Sequence, residues 1–355
     1  MYLLWVLPLL MGVHSRNAPQ NKSCVLGCRC PLDLKVICKH ASLTNLSISL
    51  PPLTEDLDLS MSQLISIPSR AFQTTRRLRI LILNNNNIKA LANGAFSPLE
   101  RLHKLDLSQN LISFLNENIW MDLGSLKELL LTHNKLTNLD SRSFYHLDTL
   151  QRLNLSHNEI NAIQSRAFGS MSTLRQLHLD NNNITSLKNG MFSMLRSLEV
   201  LNLRNNSIMF VEFGVFSPLT SLALLDLAHN QLKTIYFKTF LSLNTYSTHI
   251  MLEGNPWNCD CDLQRVFWKL CDVKRLFLDD YHNLTCKEPP LLTGQSLKHV
   301  ETQLCIAETV TVLIITVTVV ITVLAAIVMA ERKRKRQGQD KHWTEGSDLS
   351  CDSQN

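Results

Sequence analysis

The chain has 355 residues and a formal net charge of +5, and five of its basic residues stand in one run, Arg332 to Arg336. The positive surplus is therefore local, and it provides no footprint for a nucleic acid. Ten cysteines, eight of them in two well-separated groups of four, point to an oxidising compartment rather than the cytosol.

Residues 1–18 read as a secretory signal peptide. YLLWVLPLLMGV forms the apolar stretch and cleavage after Ser15 or Ala18 suits the small residues behind it, although the usual basic start is absent. Residues 19–53 form an amino-terminal cysteine-rich cap with Cys24, Cys28, Cys30 and Cys38. Four cysteines allow three pairings, and spacing alone does not choose among them. A zinc site is the rival reading, which the oxidising compartment argues against.

From residue 54 to 246 one frame, LxxLxLxxNxL, is written eight times at a period of 24 residues. Its fourth position holds Leu81, Leu105, Leu129, Leu153, Leu177, Leu201 and Leu225, and its ninth holds Asn86, Asn110, Asn134, Asn158, Asn182, Asn206 and Asn230. An aromatic returns later in each copy, from Phe72 and Phe96 through Trp120 to Phe240. LxL places two leucines on one side of a short strand, so a single copy has an apolar side that it cannot bury alone. Stacking buries it. Neighbouring copies cover each other's leucines, the aromatics make a second buried column, and the asparagines satisfy backbone groups where each coil leaves its strand. This is the leucine-rich-repeat pattern, which implies an α/β solenoid, curved, with a parallel β-sheet on its concave face. The first copy departs from the frame, with Thr54 opening it and Ser62 at the asparagine position, as suits an end coil.

Residues 247–305 hold a truncated ninth copy and a carboxy-terminal cap, NPWNCDC supplying Cys259 and Cys261, with Cys286 and Cys305 further on. Cys271 closes a helical segment, LQRVFWKLC, at a spacing from Leu263 and Phe267 that puts it on the apolar face. That favours a buried thiol; an intermolecular disulfide and an altered cap pairing are the alternatives. Residues 309–330 are uncharged, and as a helix they would extend about 33 Å, enough to cross a membrane core of about 30 Å. Glu331 and the basic residues Arg332, Lys333, Arg334, Lys335 and Arg336 follow, and such a run belongs on the cytoplasmic side. The polar tail, 331–355, has the composition of a disordered segment and is too short for a kinase or a Toll-type signalling domain. A GPI anchor is disfavoured because charges follow the apolar run. Six N-glycosylation sequons begin at Asn21, Asn45, Asn154, Asn183, Asn205 and Asn283, all on the side that this topology places outside the cell. Only Ile306 to Glu308 separate Cys305 from the membrane helix, which sets the carboxy-terminal cap against the lipid surface.

Residues 24–305 resemble the ectodomain of small type I single-pass leucine-rich-repeat membrane proteins, of the Slit-like and neuronal adhesion type. The layout is also similar to that of the gamma subunits of calcium- and voltage-activated potassium channels, although with more repeats and a shorter stalk. The resemblance implies first-to-third and second-to-fourth pairing in each cap: Cys24 with Cys30, Cys28 with Cys38, Cys259 with Cys286, and Cys261 with Cys305. It further implies a plasma-membrane protein that binds a protein ligand or membrane partner in adhesion, co-reception or ligand recognition, or alternatively an auxiliary channel subunit.

GxSxG, HExxH, GxxxxGK and GxGxxG are all absent, no cofactor or metal is implied, and an enzyme is not expected. The frame instead lists what the strands display outwards. Its third position runs Asp56, Ile80, Lys104, Glu128, Arg152, Gln176, Val200, Leu224, and its fifth Asp58, Ile82, Asp106, Leu130, Asn154, His178, Asn202, Asp226. Ile80, Ile82, Leu130, Val200 and Leu224 are apolar where polar residues are expected, and they mark contact patches near the second coil and near the seventh and eighth. Single exposed aliphatics are ordinary, so it is the clustering that carries this reading. A glycan on Asn154 would mask the middle of the face. His133 and His157 recur at the eighth position of adjacent coils, where they could sense pH or share a metal, but no third ligand is indicated. The basic run, Arg332 to Arg336, anchors the helix and could also touch acidic lipid.

Overall fold

A computed structural model describes residues 24, 27–32, 34–41, 50–300 and 304–345, with backbone alone at 304–309 and 337–345. The expected signal peptide, Asn21, Asn45 and Cys351 lie outside the described residues.

One 12-stranded sheet runs through the solenoid. Its first two strands, Arg29–Leu32 and Lys35–Ile37, are an antiparallel hairpin in the amino-terminal cap. Every later strand pairs in parallel, each copy adding three residues in strict register, as with Leu129, Leu153 and Leu177 side by side. The two leucines of LxL point inwards: Leu153 and Leu155 have no solvent exposure.

Each asparagine of the frame is a three-way tie. The Asn158 side-chain amide donates to the carbonyl of Leu131 in the preceding coil and to that of Leu155 in its own, both at 3.0 Å. Its oxygen accepts the Leu136 N–H at 3.1 Å. The same triad recurs at Asn134, Asn206 and Asn230, and again at Asn255 in the truncated copy. Buried backbone groups at the bend out of the strand are thereby satisfied in a place where no strand can pair them. The residue before each asparagine turns left-handed, near φ 55 at Asn85, His133, His157, Asn181 and Asn205. Asn adopts that conformation more readily than most residues. At the last coil the column ends in Gly254, whose missing side chain leaves room for the His229 ring; a Cβ there would lie 2.4 Å from Nδ1.

The aromatic column stacks ring over ring, at 6.1 Å for Phe72 and Phe96 and 6.2 Å for Phe96 and Trp120. Trp120 fits because its indole N–H donates to the Ser143 carbonyl of the next coil at 2.8 Å. Return segments are turns and short strand pairs, such as Ser186–Leu187 with Phe210–Val211, and only the eighth coil contains a helix there, Phe237–Leu241. Coils lie about 4.8 Å apart on the strand side and 6.1–6.2 Å apart at the aromatic column, and this wider return side curves the solenoid with its sheet on the concave face.

Disulfides join Cys24 to Cys30, Cys28 to Cys38 and Cys259 to Cys286. Cys261 is also disulfide-bonded. Its expected partner, Cys305, lies outside the described side chains. In the carboxy-terminal cap, the helix Cys261–Asp272 starts at Asp260, whose carboxylate accepts the Leu263 N–H at 2.8 Å. It buries Leu263, Phe267 and Leu270.

Three expectations change. Cys271 is exposed, not buried. Burial along the cap helix runs through Leu263, Gln264, Phe267 and Leu270 and stops one residue short of Cys271. The apolar helix starts at Leu304, five residues before Thr309, so Cys305 falls in its first turn. It also continues through the basic run to Glu345, where a disordered tail was expected. Arg, Lys, Gln and Glu are good helix formers, and extending an existing helix avoids the nucleation cost. The membrane-length part, Val310–Arg336, contains an 18-residue stretch with a mean hydropathy of 3.0, none of which is buried against the solenoid.

Candidate protein-binding face

Strand register arranges the outward residues in rows about 4.8 Å apart. The third-position row runs Asp56, Ile80, Lys104, Glu128 and Arg152, then Gln176, Val200 and Leu224. It does not stop there. The truncated ninth copy adds His249 and a strand of the cap, Leu276–Leu278, adds Phe277.

The middle of this row is polar and self-satisfied. Glu128 lies between Lys104 at 3.1 Å and Arg152 at 3.7 Å. Leu130 sits beside this charge ladder, between Asp106 and Asn154, and is isolated from other apolar residues of the face. The two ends differ. Ile80 and Ile82 form a small apolar step flanked by Asp56 and Asp58 on one side and Lys104 and Asp106 on the other. At the far end Val200, Leu224, His249 and Phe277 form a continuous ridge over four strands. The His249 ring stacks on Phe277 with centroids 5.1 Å apart, and its Nδ1 lies 2.9 Å from Asp279. All five apolar residues expected at contact patches are half-buried, because the parallel neighbours cover their flanks while the tips face the concavity.

Behind the ridge, the junction of the last coil with the cap carries buried charge. Asp226, expected to face outwards, is buried and accepts the Ala228 N–H at 2.9 Å. Cap residues close over it, and this burial pushes its carboxyl above the ordinary range. Asp280 is raised for the same reason; its Oδ2 accepts the N–H groups of Leu252 and Glu253, each at 2.6 Å, while its buried Oδ1 has no hydrogen-bond partner. Burial works in the same sense on Glu253, but hydrogen bonds from Asn283 and Arg204 prevail and hold it below its ordinary value. In the centre of the face, burial and the charge of Arg152 push His178 down, with Asp180 in opposition, and its Nε2 is buried without a partner.

His133 and His157 stack with ring centroids 4.2 Å apart, both exposed. Among the described residues no group of three or more His, Cys, Asp or Glu side chains is placed to hold a metal. Asn183, Asn205 and Asn283 are exposed, whereas Asn154 is half-buried with its oxygen accepting the Ser156 N–H at 3.0 Å. Arg332 to Arg336 sit on the long helix and are exposed.

Sequence reasoning missed the ridge's outer half. His249 follows a coil one residue longer than the frame, and Phe277 belongs to a strand with no frame at all. It also missed Met209, Phe210, Phe213 and Tyr236, all more than half exposed on the return side of the seventh and eighth coils. Their signal was present: the positions of Met209 and Phe210 hold Thr137 and Asn138, or Thr185 and Ser186, in other coils.

Comparison with known proteins agrees with this architecture. A family model described as leucine rich repeat matches residues 51–112, 76–136, 124–184 and 172–232, which together cover just over half of the chain. Leucine-rich repeat-containing protein 3B of Bos taurus, Mus musculus and Homo sapiens is 38% identical over 68 residues, 19% of this chain and 26% of those proteins. The chain thus spans about a quarter of the length of these curated relatives. Among solved structures, a chain of the Drosophila Toll–Spatzle complex superposes with a TM-score of 0.61 and 27% identity, covering 71% of this chain and 38% of that one. Human 5T4, a Wnt-activated inhibitory factor, superposes at 0.57 and 25% identity over 79% of this chain and 96% of that one. A chain of the octameric complex of latrophilin 3, Unc5D and FLRT2 shares the fold at 0.58 and 23% identity, covering 79% and 99%.

Proposed function

This chain belongs to the leucine-rich-repeat family, and from that premise we propose that it is a type I plasma-membrane glycoprotein whose ectodomain binds a protein partner through the carboxy-terminal end of its concave face. The observation that carries the proposal is the ridge Val200, Leu224, His249 and Phe277, three apolar residues and an imidazole stacked on Phe277, in register across four strands. Aliphatic and aromatic side chains bordered by polar ones are the composition of an interface core. The neighbouring charge ladder, Lys104 to Glu128 to Arg152, supplies orientation rather than affinity. Adhesion, co-reception and ligand recognition all use such a face, and recognition rather than catalysis is the family's habit. Solved relatives in complexes with protein partners, Toll with Spatzle among them, support this reading.

Topology and binding are tested together. Peptide N-glycosidase should lower the apparent mass, and an antibody to the tail should stain only permeabilised cells; staining on intact cells would overturn the orientation. Proximity labelling on intact cells should give a set of neighbours that Phe277→Ala and Leu224→Asp remove together while both variants reach the surface.

A second reading is favoured by one observation, the unbroken helix that carries Arg332 to Arg336 onwards to Glu345. Five cations held on a rigid rod at the inner leaflet would act on a neighbouring voltage sensor or on acidic lipid, as an auxiliary channel subunit requires. Channel pore subunits among the labelled neighbours would favour it.

A further inference from the structure

On the return side of the first three coils, away from the concave face, lies an open cavity of roughly 600 Å³ lined by Arg70, Gln73, Arg76, Ser97, Glu100 and Asp122. The volume falls within the usual range for small-ligand sites. The lining is mixed in charge and rich in hydrogen-bonding groups, with Pro98 its one apolar contributor. Arg77 and Arg101 are exposed beside it in sequence, and none of the four arginines enters an ion pair among the described residues. Ser97 donates to Asp122 Oδ2 at 2.6 Å, which fixes that carboxylate at the wall.

Arg70 is placed at a cost. It sits at φ 55, in the left-handed region, at a coil position that Gly94, Gly190 and Gly214 fill in some copies and Arg142 and Arg166 in others. A glycine would be easier for that backbone, so the fold itself does not require the arginine side chain.

We propose that this cavity binds an acidic, sulfated polysaccharide. Arg70 and Arg76 match sulfate groups, which a guanidinium holds through paired charge-assisted hydrogen bonds. Glu100, Asp122 and Gln73 have no use for a bare anion, and the two carboxylates would repel one. They suit the hydroxyl groups of a sugar ring, which donate to carboxylates. Arg77 and Arg101, exposed and next in sequence to Arg76 and Glu100 of the lining, add positive charge of the kind a polyanion rewards. Bilayer contact would call for apolar side chains that this lining lacks.

The test uses the full chain in neutral phosphatidylcholine nanodiscs, passed over an immobilised heparin hexasaccharide. The expected result is binding that weakens with added salt and that Arg76→Ala lowers about ten-fold or more, the loss of one charged hydrogen-bonding group. Arg70→Gly, a change the left-handed backbone accepts without strain, should do the same with a melting temperature no lower than that of the wild type. Arg166→Ala, elsewhere on the return side, should change nothing. Asp122→Asn and Glu100→Gln separate sugar recognition from simple charge attraction. They should weaken binding if the carboxylates hold hydroxyls, whereas stronger binding would mean that only net charge is sensed and would overturn the proposal. Absence of binding by the wild-type chain, or equal competition by duplex DNA, would overturn it as well.

Discussion

The asparagine column and the third-position row of the concave sheet run side by side through the same coils, six residues apart in each copy. One hardly varies: Asn110, Asn134, Asn158 and Asn182 are tied to the backbone of the preceding coil in the same way. The other changes at almost every step, from Ile80 to Lys104 to Glu128 to Arg152. The asparagine faces a backbone that is the same in every coil, and only one side chain of that size both donates twice and accepts once there. The row faces water, where the coil imposes no chemistry. Stability resides in the column that repeats, and recognition is free to reside in the row that does not.

Substitutions should separate the two, beginning with the core they share. Leu153→Ala should cost about 2–5 kcal/mol and keep the protein from the cell surface, while the exposed Gln151→Ala should melt like wild type. Equal melting of the two would break the assignment of the frame. In the column itself, Asn158→Ala strands the Leu136 N–H and two carbonyls, and should cost about 1–3 kcal/mol. Asp106→Ala is no neutral control, since Asp106 is half-buried and accepts the Ser108 N–H at 2.9 Å.

The cap junction sharpens the contrast through pH. Asp280 and Asp226 have folded pKa values raised by burial, so the folded state binds their protons more readily than the unfolded chain. Stability from these two groups is therefore gained as pH falls through the raised values towards the ordinary 3.8, and is missing at neutral pH. His178 acts in the opposite sense. Its folded pKa is depressed, so it lowers stability as pH falls below 6.5. Asp280→Asn keeps an acceptor for Leu252 and Glu253 and removes the charge; at neutral pH it should melt no lower than wild type and should flatten the acid side of the profile. Asp280→Ala, which orphans both N–H groups, should melt lower by about 1–2 kcal/mol. If Asn and Ala were equally harmful, the buried charge itself would be the stabilising feature.

Leu224→Asp, in the row, should change folding stability by less than about 1 kcal/mol and still abolish partner labelling. Smallest for the fold is Arg334→Gln with Lys335→Gln and Arg336→Gln. That variant should melt like wild type and keep extracellular binding, and a shift in channel half-activation in co-expression recordings would be its one effect under the second reading.

The repeat frame was legible because 24-residue spacing leaves one way to bury LxL, and each frame asparagine falls where the backbone needs it. Ile80 and Ile82 were found because the frame tells which residues face out. Phe277 was not, since it lies beyond the last copy and reaches the row only through tertiary pairing. Asp226 was misplaced for the same reason: the frame cannot show that the cap closes over the eighth coil. Exposure of Cys271 depends on where the cap helix leaves its support, which helical periodicity does not encode.

The long helix begins at Leu304, three residues beyond 301, which itself follows directly on the cap residue Val300. With that helix in a bilayer, the ectodomain has a leash of at most about 10–15 Å. Twelve strands at the usual spacing add about 50 Å, so no part of the concave face stands more than roughly 70 Å above the lipid, whatever its tilt. The ridge at Leu224 and Phe277 belongs to the lower end of that range. A partner rooted in the same membrane meets it with an ectodomain of ordinary size, whereas one on an opposing cell must span the remaining gap itself.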